Sequence, residues 1–390
     1  MTRKGTDRIM KILITGAKGF VGKNFAATLK NIANGNDKSR GIDKENLEIF
    51  EYDIDSDPKS LSEYCEKADF VFHLAGVNRP KDESEFMKGN FGFTSTLLDT
   101  LKKYDNKAPV LITSSIQASL DNPYGKSKKA GEELMFNYGR ENGVKTLVYR
   151  LPNGVGKWCR PNYNSAVATF CNNIANDLPI TVNDRAHMMH LVYIDDIVDE
   201  FICAIKGQEH KNGDFCEVPV THKITLGEIV DLLYSFKESR RNLSIPNQAD
   251  AFSRKLYATY ISYLPKNEFA YPLKMNVDPR GSFTEFLKTD EYGQVSVNIS
   301  RPHIVKGNHW HHTKNEKFLV VSGKGVIRFR HPESDEVTEY FVSGDKLTVV
   351  DIPTGYTHNI ENLGDTDMVT IMWANEKFDP NKPDTYFLEV

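Results

Sequence analysis

Three histidines and one carboxylate pose the first chemical question. His309 and His311 lie two residues apart in Gly307-Asn-His-Trp-His-His-Thr-Lys-Asn-Glu316, and His358 closes Pro353-Thr-Gly-Tyr-Thr-His358 about one hairpin later. Imidazole nitrogens with a carboxylate oxygen are donors suited to zinc or iron. A spacing of two puts His309 and His311 on one face of a strand. His312 then falls on the opposite face, a structural position, and His303 and His331 sit among loop residues.

A second chemistry precedes it in the chain. Thr15-Gly-Ala-Lys-Gly-Phe-Val-Gly22 follows an apolar run and opens a helical one. In that setting Gly16 permits a tight turn, Gly19 lets a pyrophosphate approach the backbone, and Gly22 allows close helix–strand packing. The free N–H groups of the helix start, here around Phe20 and Val21, favour phosphate. Of the 17 tyrosines, Tyr124 alone has a lysine four residues on, Lys128. That spacing puts both on one helix face, where an ammonium is expected to lower the phenol pKa from about 10. Tyr124 then exchanges a proton with a substrate oxygen, and Ser114-Ser115, just after a strand, offers a hydroxyl to the same oxygen.

These residues need elements to position them. Apolar runs at 11–15, 48–52, 70–74, 110–113 and 146–149 alternate with helical patterns at 20–32, 91–103 and 126–141. Strand–helix alternation predicts an α/β Rossmann-type doubly wound parallel sheet. From Met275 onward, short runs such as Phe318–Val321, Val326–Phe329, Leu347–Val350 and Met368–Trp373 are separated by Gly, Pro and Asp. That rhythm predicts an all-β sandwich or small barrel. The expected division is a flexible tail at 1–9, a dinucleotide-binding domain at 10–245, a connecting helical region at 246–274 and a β domain at 275–390.

The totals exclude several classes. A chain of 390 residues with 39% hydrophobic content is long enough for two cores. A net charge of -4 gives no basic surface for nucleic acid. Five cysteines without a CxxC pair argue against a disulfide framework and for a cytoplasmic, reducing setting. No apolar run approaches bilayer length, so no membrane insertion is expected.

The N-terminal motifs carry a resemblance. Together with His73-Leu-Ala-Gly76, Tyr149-Arg-Leu-Pro-Asn-Gly-Val-Gly156 and Leu191-Val-Tyr-Ile-Asp-Asp196, they resemble the extended short-chain dehydrogenase/reductases over roughly residues 10–240. The resemblance implies Ser115, Tyr124 and Lys128 as the catalytic set. It implies Gly16, Gly19, Phe20, Val21, Gly22, Leu74 and Ala75, with Tyr124 and Lys128, as contacts of a nicotinamide cofactor. Asn153, Lys157 and Arg160 become candidates for a nucleotide sugar's diphosphate. An acidic residue after the second strand favours NAD and a basic one NADP. Asp53 and Asp55 compete here with Arg40 and Lys44. NADPH is the expectation, and NADH stays open.

The C-terminal motifs resemble cupins. Residues 307–325 are similar to the first cupin motif, and Pro353-x-Gly355-x-x-His358-x-x-x-Asn362 to the second. This implies an all-β cupin barrel with His309, His311, Glu316 and His358 turned inward around a divalent cation, zinc being expected. Asn276-Val-Asp-Pro-Arg-Gly-Ser-Phe-Thr-Glu285 and Gly293-Gln-Val-Ser-Val-Asn-Ile-Ser300 resemble the deoxysugar 3,5-epimerase branch, in which a histidine at the place of His309 is the base. His309 is therefore either the fourth ligand or that base. The fused pair resembles two-domain enzymes of capsular polysaccharide synthesis. It implies C3 epimerisation of a UDP-linked 2-acetamido-2,6-dideoxy-4-ketohexose in the cupin, then NADPH-dependent C4 reduction to UDP-N-acetyl-6-deoxy-L-talosamine, by a homodimer. The alternatives are a single-activity sugar-nucleotide reductase whose cupin is a metal-stabilised dimerisation module, and a ferrous oxygenase cupin.

Overall fold

The computed structural model of the protein describes residues 9–43 and 47–390. The expected tail lies outside this range as far as Arg8, as does Lys44. The chain divides into two compact units, Met1–Leu233 with Lys255–Leu264, and Tyr234–Arg254 with Pro265–Val390.

The first unit is built on β1 (Met10–Thr15), β2 (Leu47–Tyr52), β3 (Phe70–His73), β4 (Val110–Ser115) and β5 (Thr146–Leu151). All five are parallel. Helices Phe20–Ala33, Pro58–Lys67, Phe93–Lys103 and Pro123–Asn142 lie between them in sequence. A parallel sheet covered on both faces needs apolar residues on both sides of each strand. β1 supplies them: Ile12 and Ile14 join one core with Phe25, Phe72 and Phe201, while Leu13 joins the other with Val71, Leu97 and Met135. This is the doubly wound α/β sheet expected from the sequence. After β6 (Asn153–Val155), β7 (Met188–Tyr193), β8 (Lys211–Asn212) and β9 (Phe215–Cys216), the sheet order is β2-β1-β3-β4-β5-β9-β8. The order reverses between β1 and β3, and a crevice at the carboxyl ends of the strands there is where such sheets bind ligands. β10 (His222–Thr225) completes a small sheet with β7 and β6.

The second unit is antiparallel throughout its two sheets. Its strands are β11 (Met275–Asp278), β12 (Gly281–Thr289), β13 (Gly293–Ser300), β14 (Val305–Trp310), β15 (Glu316–Ser322), β16 (Lys324–Arg330), β17 (Val337–Ser343), β18 (Val349–Ile352), β19 (Thr357–Asn362), β20 (Met368–Ala374) and β21 (Tyr386–Phe387). One sheet runs β11-β12-β13-β20-β15-β18 and the other β17-β16-β19-β14-β21. Phe318, Val320, Val350 and Ile352 from the first meet Ile327, Phe329 and Ile360 from the second in a shared core. The architecture is cupin-like. Period-two alternation also leaves Gln294, Ser296, Asn298 and Ser300 of β13 buried although polar. Among the described residues no helix is long and apolar enough to cross a membrane.

Candidate functional sites

In the first unit the glycine loop leaves β1 where the strand order reverses. Gly16 has φ +72, and a Cβ there would come within 2.6 Å of the Ala75 backbone. A Cβ on Gly22 would meet Gly16 O at 2.1 Å. Gly19 caps the helix Phe20–Ala33 without any side-chain bond to its first turn, which holds no acidic residue. Those N–H groups are therefore free for an anion. Leu74 N donates to Thr15 O at 3.0 Å, which places the 74–76 segment beside the loop. Val21 is one of the partly buried residues packed on the core.

Asn122 and Pro123 start the next element of the site. The Asn122 carboxamide accepts from Gly125 N at 2.7 Å, so the helix Pro123–Asn142 begins firmly and presents Tyr124 in its first turn. Tyr124 donates to Asn78 Oδ1 at 3.2 Å, and the Ser115 hydroxyl also bonds it. Lys128 donates to Thr113 O at 3.2 Å, and its Nζ lies 5.8 Å from the Tyr124 ring centre. The expected depression of the Tyr124 pKa is not what the structure gives. Burial raises the phenol, and the Ser115 bond only partly offsets this. Burial also lowers Lys128 to about 8, against the pull of Glu132. Desolvation outweighs the neighbouring charge. Tyr124 is thus a protonated donor at neutral pH. His73, between Thr15 Oγ1 at 2.7 Å and Thr94 Oγ1 at 2.8 Å, is buried and held neutral by burial, down to about 3.

A cavity of about 1100 Å³ lies between the glycine loop and Tyr124, with Lys128 and His73 behind its wall rather than on it. Its lining includes Lys18, Gly19, Phe20, Asp53, Asn78, Ser115, Tyr124, Asn153 and Arg160. Lys157 is placed elsewhere: its ammonium is taken by both Asp195 oxygens at 2.6 and 2.8 Å. Arg40 is likewise engaged by Asp37 and Asp199. Sequence reasoning missed Asn78, Trp158, Tyr163 and Tyr263 on the cavity wall. Trp158 is half exposed with φ +66, and the Tyr263 hydroxyl holds Cys159 O beside it. A bulky residue in the left-handed region is a genuine outlier, and nothing in the local sequence announces it.

In the second unit, β14, the turn after it, β15 and β19 bring His309, His311, Glu316 and His358 together. One donor atom from each lies within 4.8 Å of the others. Glu316 Oε2 is 3.3 Å from His311 Nε2 and 3.5 Å from His358 Nε2. His311 and His358 are buried. The Glu316 carboxyl is raised by burial but held below the usual range overall by the adjacent His311 and His358 rings. His309 is pushed down to about 4, chiefly by burial and then by the neighbouring imidazoles. Neither ring nitrogen of His358 has a protein hydrogen-bond partner. Buried polar atoms are normally paired, so these orphans, one beside a carboxylate, fit a divalent cation. His312 faces away, against Trp310 and Tyr386. A cavity of about 480 Å³ beside the cluster is also lined by Arg280, Asn298, Lys306 and Lys314.

Fold and site together define a dinucleotide-binding protein with a second, metal-suited β unit. The pattern of the NAD dependent epimerase/dehydratase family matches residues 12–216, and the chain belongs to that family. Residues 276–386 match the polysaccharide biosynthesis C-terminal domain. Among its relatives is the UDP-2-acetamido-2,6-beta-L-arabino-hexul-4-ose reductase of Pseudomonas aeruginosa, 42% identical over 98% of this chain and 99% of the relative. The crystal structure of the capsular polysaccharide assembling protein CapF from Staphylococcus aureus superposes with a TM-score of 0.91 at 58% identity. That match covers 98% of this chain and 100% of the other. RMD from Pseudomonas aeruginosa, solved with NADPH, shares the fold alone, with TM-score 0.51 and 19% identity over 65% of this chain and 97% of its own.

Proposed function

We propose that the chain is a nicotinamide-dependent reductase of a UDP-linked 4-ketosugar whose cupin-like unit epimerises C3 of the same sugar first. NADPH is the proposed reductant, and the proposed product is UDP-N-acetyl-6-deoxy-L-talosamine. The observation that carries this reading is the coexistence of two sites. A phenol donor faces a dinucleotide-type cavity, and a histidine–carboxylate cluster lies beside a second cavity lined by cations. The 4-ketosugar reductase relative matched along nearly the whole chain supports it.

The order of steps follows from acidity. A ketone at C4 acidifies the C3 proton, and that acidity vanishes once C4 is reduced. Epimerisation therefore comes first. In the cupin-like unit His309, kept neutral by burial, takes the C3 proton and solvent returns one to the opposite face of the enolate, while His311, Glu316 and His358 would hold the cation. When bound, the cation supplies positive charge to the developing enolate and the nicotinamide supplies hydride to C4. In the first unit Ser115 and Tyr124 hold the C4 oxygen, and Tyr124 gives it a proton as it becomes an alcohol. Lys128 keeps positive charge behind that transfer. Arg160 and Asn153, on the cavity wall, face the nucleotide diphosphate. Lys157 stays paired to Asp195.

The test is the ketosugar nucleotide in deuterated water, followed by NMR with and without cofactor. Label at C3 before any reduction, then cofactor oxidation stoichiometric with alcohol, is the expected result. Reduction without C3 label would leave a single-activity reductase.

A further inference from the structure

We infer that Asp384 is a positioning residue for His311, setting which imidazole nitrogen faces the ligand cluster; the inference rests on the metal-centre reading above. Asp384 lies between β20 and β21, far along the chain from His311. Its main-chain oxygen accepts from His311 Nδ1 at 2.6 Å. Its carboxylate accepts three consecutive backbone N–H groups, those of His312 at 3.0 Å, Thr313 at 2.8 Å and Lys314 at 2.8 Å, and the Thr313 hydroxyl at 3.1 Å. One residue thus grips the ring through its carbonyl and the turn after it through its side chain.

The chemistry of each contact fixes its consequence. A backbone carbonyl only accepts, so Nδ1 of His311 carries the proton. Nε2 is then left with its lone pair, and Nε2 is the atom 3.3 Å from Glu316. Metal-ligating histidines typically donate their second nitrogen to such a partner, which fixes tautomer and ring orientation. His358, with both nitrogens unpartnered, has no such support. Asp384 itself sits at φ +37, a region Asp and Asn tolerate better than other side-chain-bearing residues. The backbone bonds hold its carboxyl well below the usual range, outweighing burial. Neighbouring contacts keep the segment in place: Lys314 Nζ donates to Thr385 Oγ1 at 2.8 Å, and Leu388 N donates to Asn308 O at 3.0 Å. β21 pairs Phe387 with His309 and Tyr386 with Trp310.

The experiment uses the full chain stripped of metal, with Asp384→Gly and Asp384→Asn. Glycine accepts the positive φ but removes the carboxylate; asparagine keeps one acceptor oxygen. Zinc affinity is measured by competition with a chromogenic chelator, and the His311 Nδ1–H resonance by NMR on histidine-labelled protein. Asp384→Gly should bind zinc about 10–100-fold more weakly and lose the protected Nδ1–H signal, with Asp384→Asn in between. A mere fold-stabilising role would lower the melting temperature and leave both readouts at parental values, which overturns the inference. If Asp384→Gly does not fold, unchanged affinity and resonance in Asp384→Asn overturn it. A parent chain that binds no zinc but shows the Nδ1–H signal would sink the metal-centre reading instead.

Discussion

Near Tyr124 the polar groups find partners inside the protein; in the histidine cluster some do not. Tyr124 has Asn78, Lys128 has Thr113 O, and Asn90 bonds both Val77 and Ser127. His358, more deeply buried than Tyr124 or Lys128, has neither nitrogen satisfied. Both sites use burial to set protonation, with different results. In the first unit burial keeps a phenol protonated and eases the charge on a lysine. In the second it keeps imidazole neutral beside an ionised carboxylate. The difference teaches that one site is prepared to deliver a proton and the other to donate lone pairs.

The sharpest way to break this comparison is to disable each site alone. Tyr124→Phe keeps the ring and removes the proton. Loss of a positioned general acid costs about 10²–10⁴-fold, so cofactor oxidation should fall by that factor while C3 exchange in deuterated water continues. Equal loss of both would mean the two chemistries are not divided between the units. Next in size is Glu316→Gln, which replaces an anionic donor by a neutral amide between His311 and His358. Zinc affinity should drop at least as far as outer-shell changes reach, about 10–100-fold, and C3 exchange with it. Reduction of substrate already epimerised should persist.

These contrasts also explain what the sequence could reveal. The glycine loop is local: strand, turn and helix are contiguous, so Gly16, Gly19 and Gly22 announce their roles. The histidine cluster was legible because His309, His311 and Glu316 share one short stretch and His358 a recognisable turn. What failed was long-range. Lys157 reads as a free cation until Asp195, 38 residues on, takes it. Tyr263 follows a helix that looked like a connector, yet it reaches the cavity wall. The Tyr124 pKa was misjudged because a four-residue spacing reports a neighbouring charge but not the burial that overrides it. Asp384 gave no signal, since its partners lie 70–73 residues earlier.

A smaller effect separates the sites by pH. Lys128 titrates near 8 in the folded chain, below the ordinary 10.5. Its ammonium is present below that value and lost above it. Cofactor oxidation should therefore decline as pH rises through about 8, roughly tenfold per unit where one protonated group is essential. C3 exchange should not share that limb. Coincident profiles would mean that Lys128 does not set the reductase limb.

The finest distinction concerns the cofactor. β2 pairs directly with β1, so Asp53, just beyond it, stands beside the glycine loop and accepts from Lys18 N at 2.7 Å. A carboxylate there bonds a ribose 2′-hydroxyl and repels a 2′-phosphate. That placement pulls against the NADPH expectation, for Arg40 is already engaged by two aspartates. Among the described residues, Lys18 and Lys23 are lysines on the same cavity wall, and Lys18 is itself paired with Asp55. Asp53→Asn removes the charge while keeping an acceptor for Lys18 N. It should raise kcat/KM for NADPH relative to NADH by about tenfold, equivalent to ~1.4 kcal/mol, without touching C3 exchange. An unchanged ratio would take Asp53 out of cofactor choice, and replacement of Lys18 and Lys23 by methionine would then test whether these cations favour NADPH.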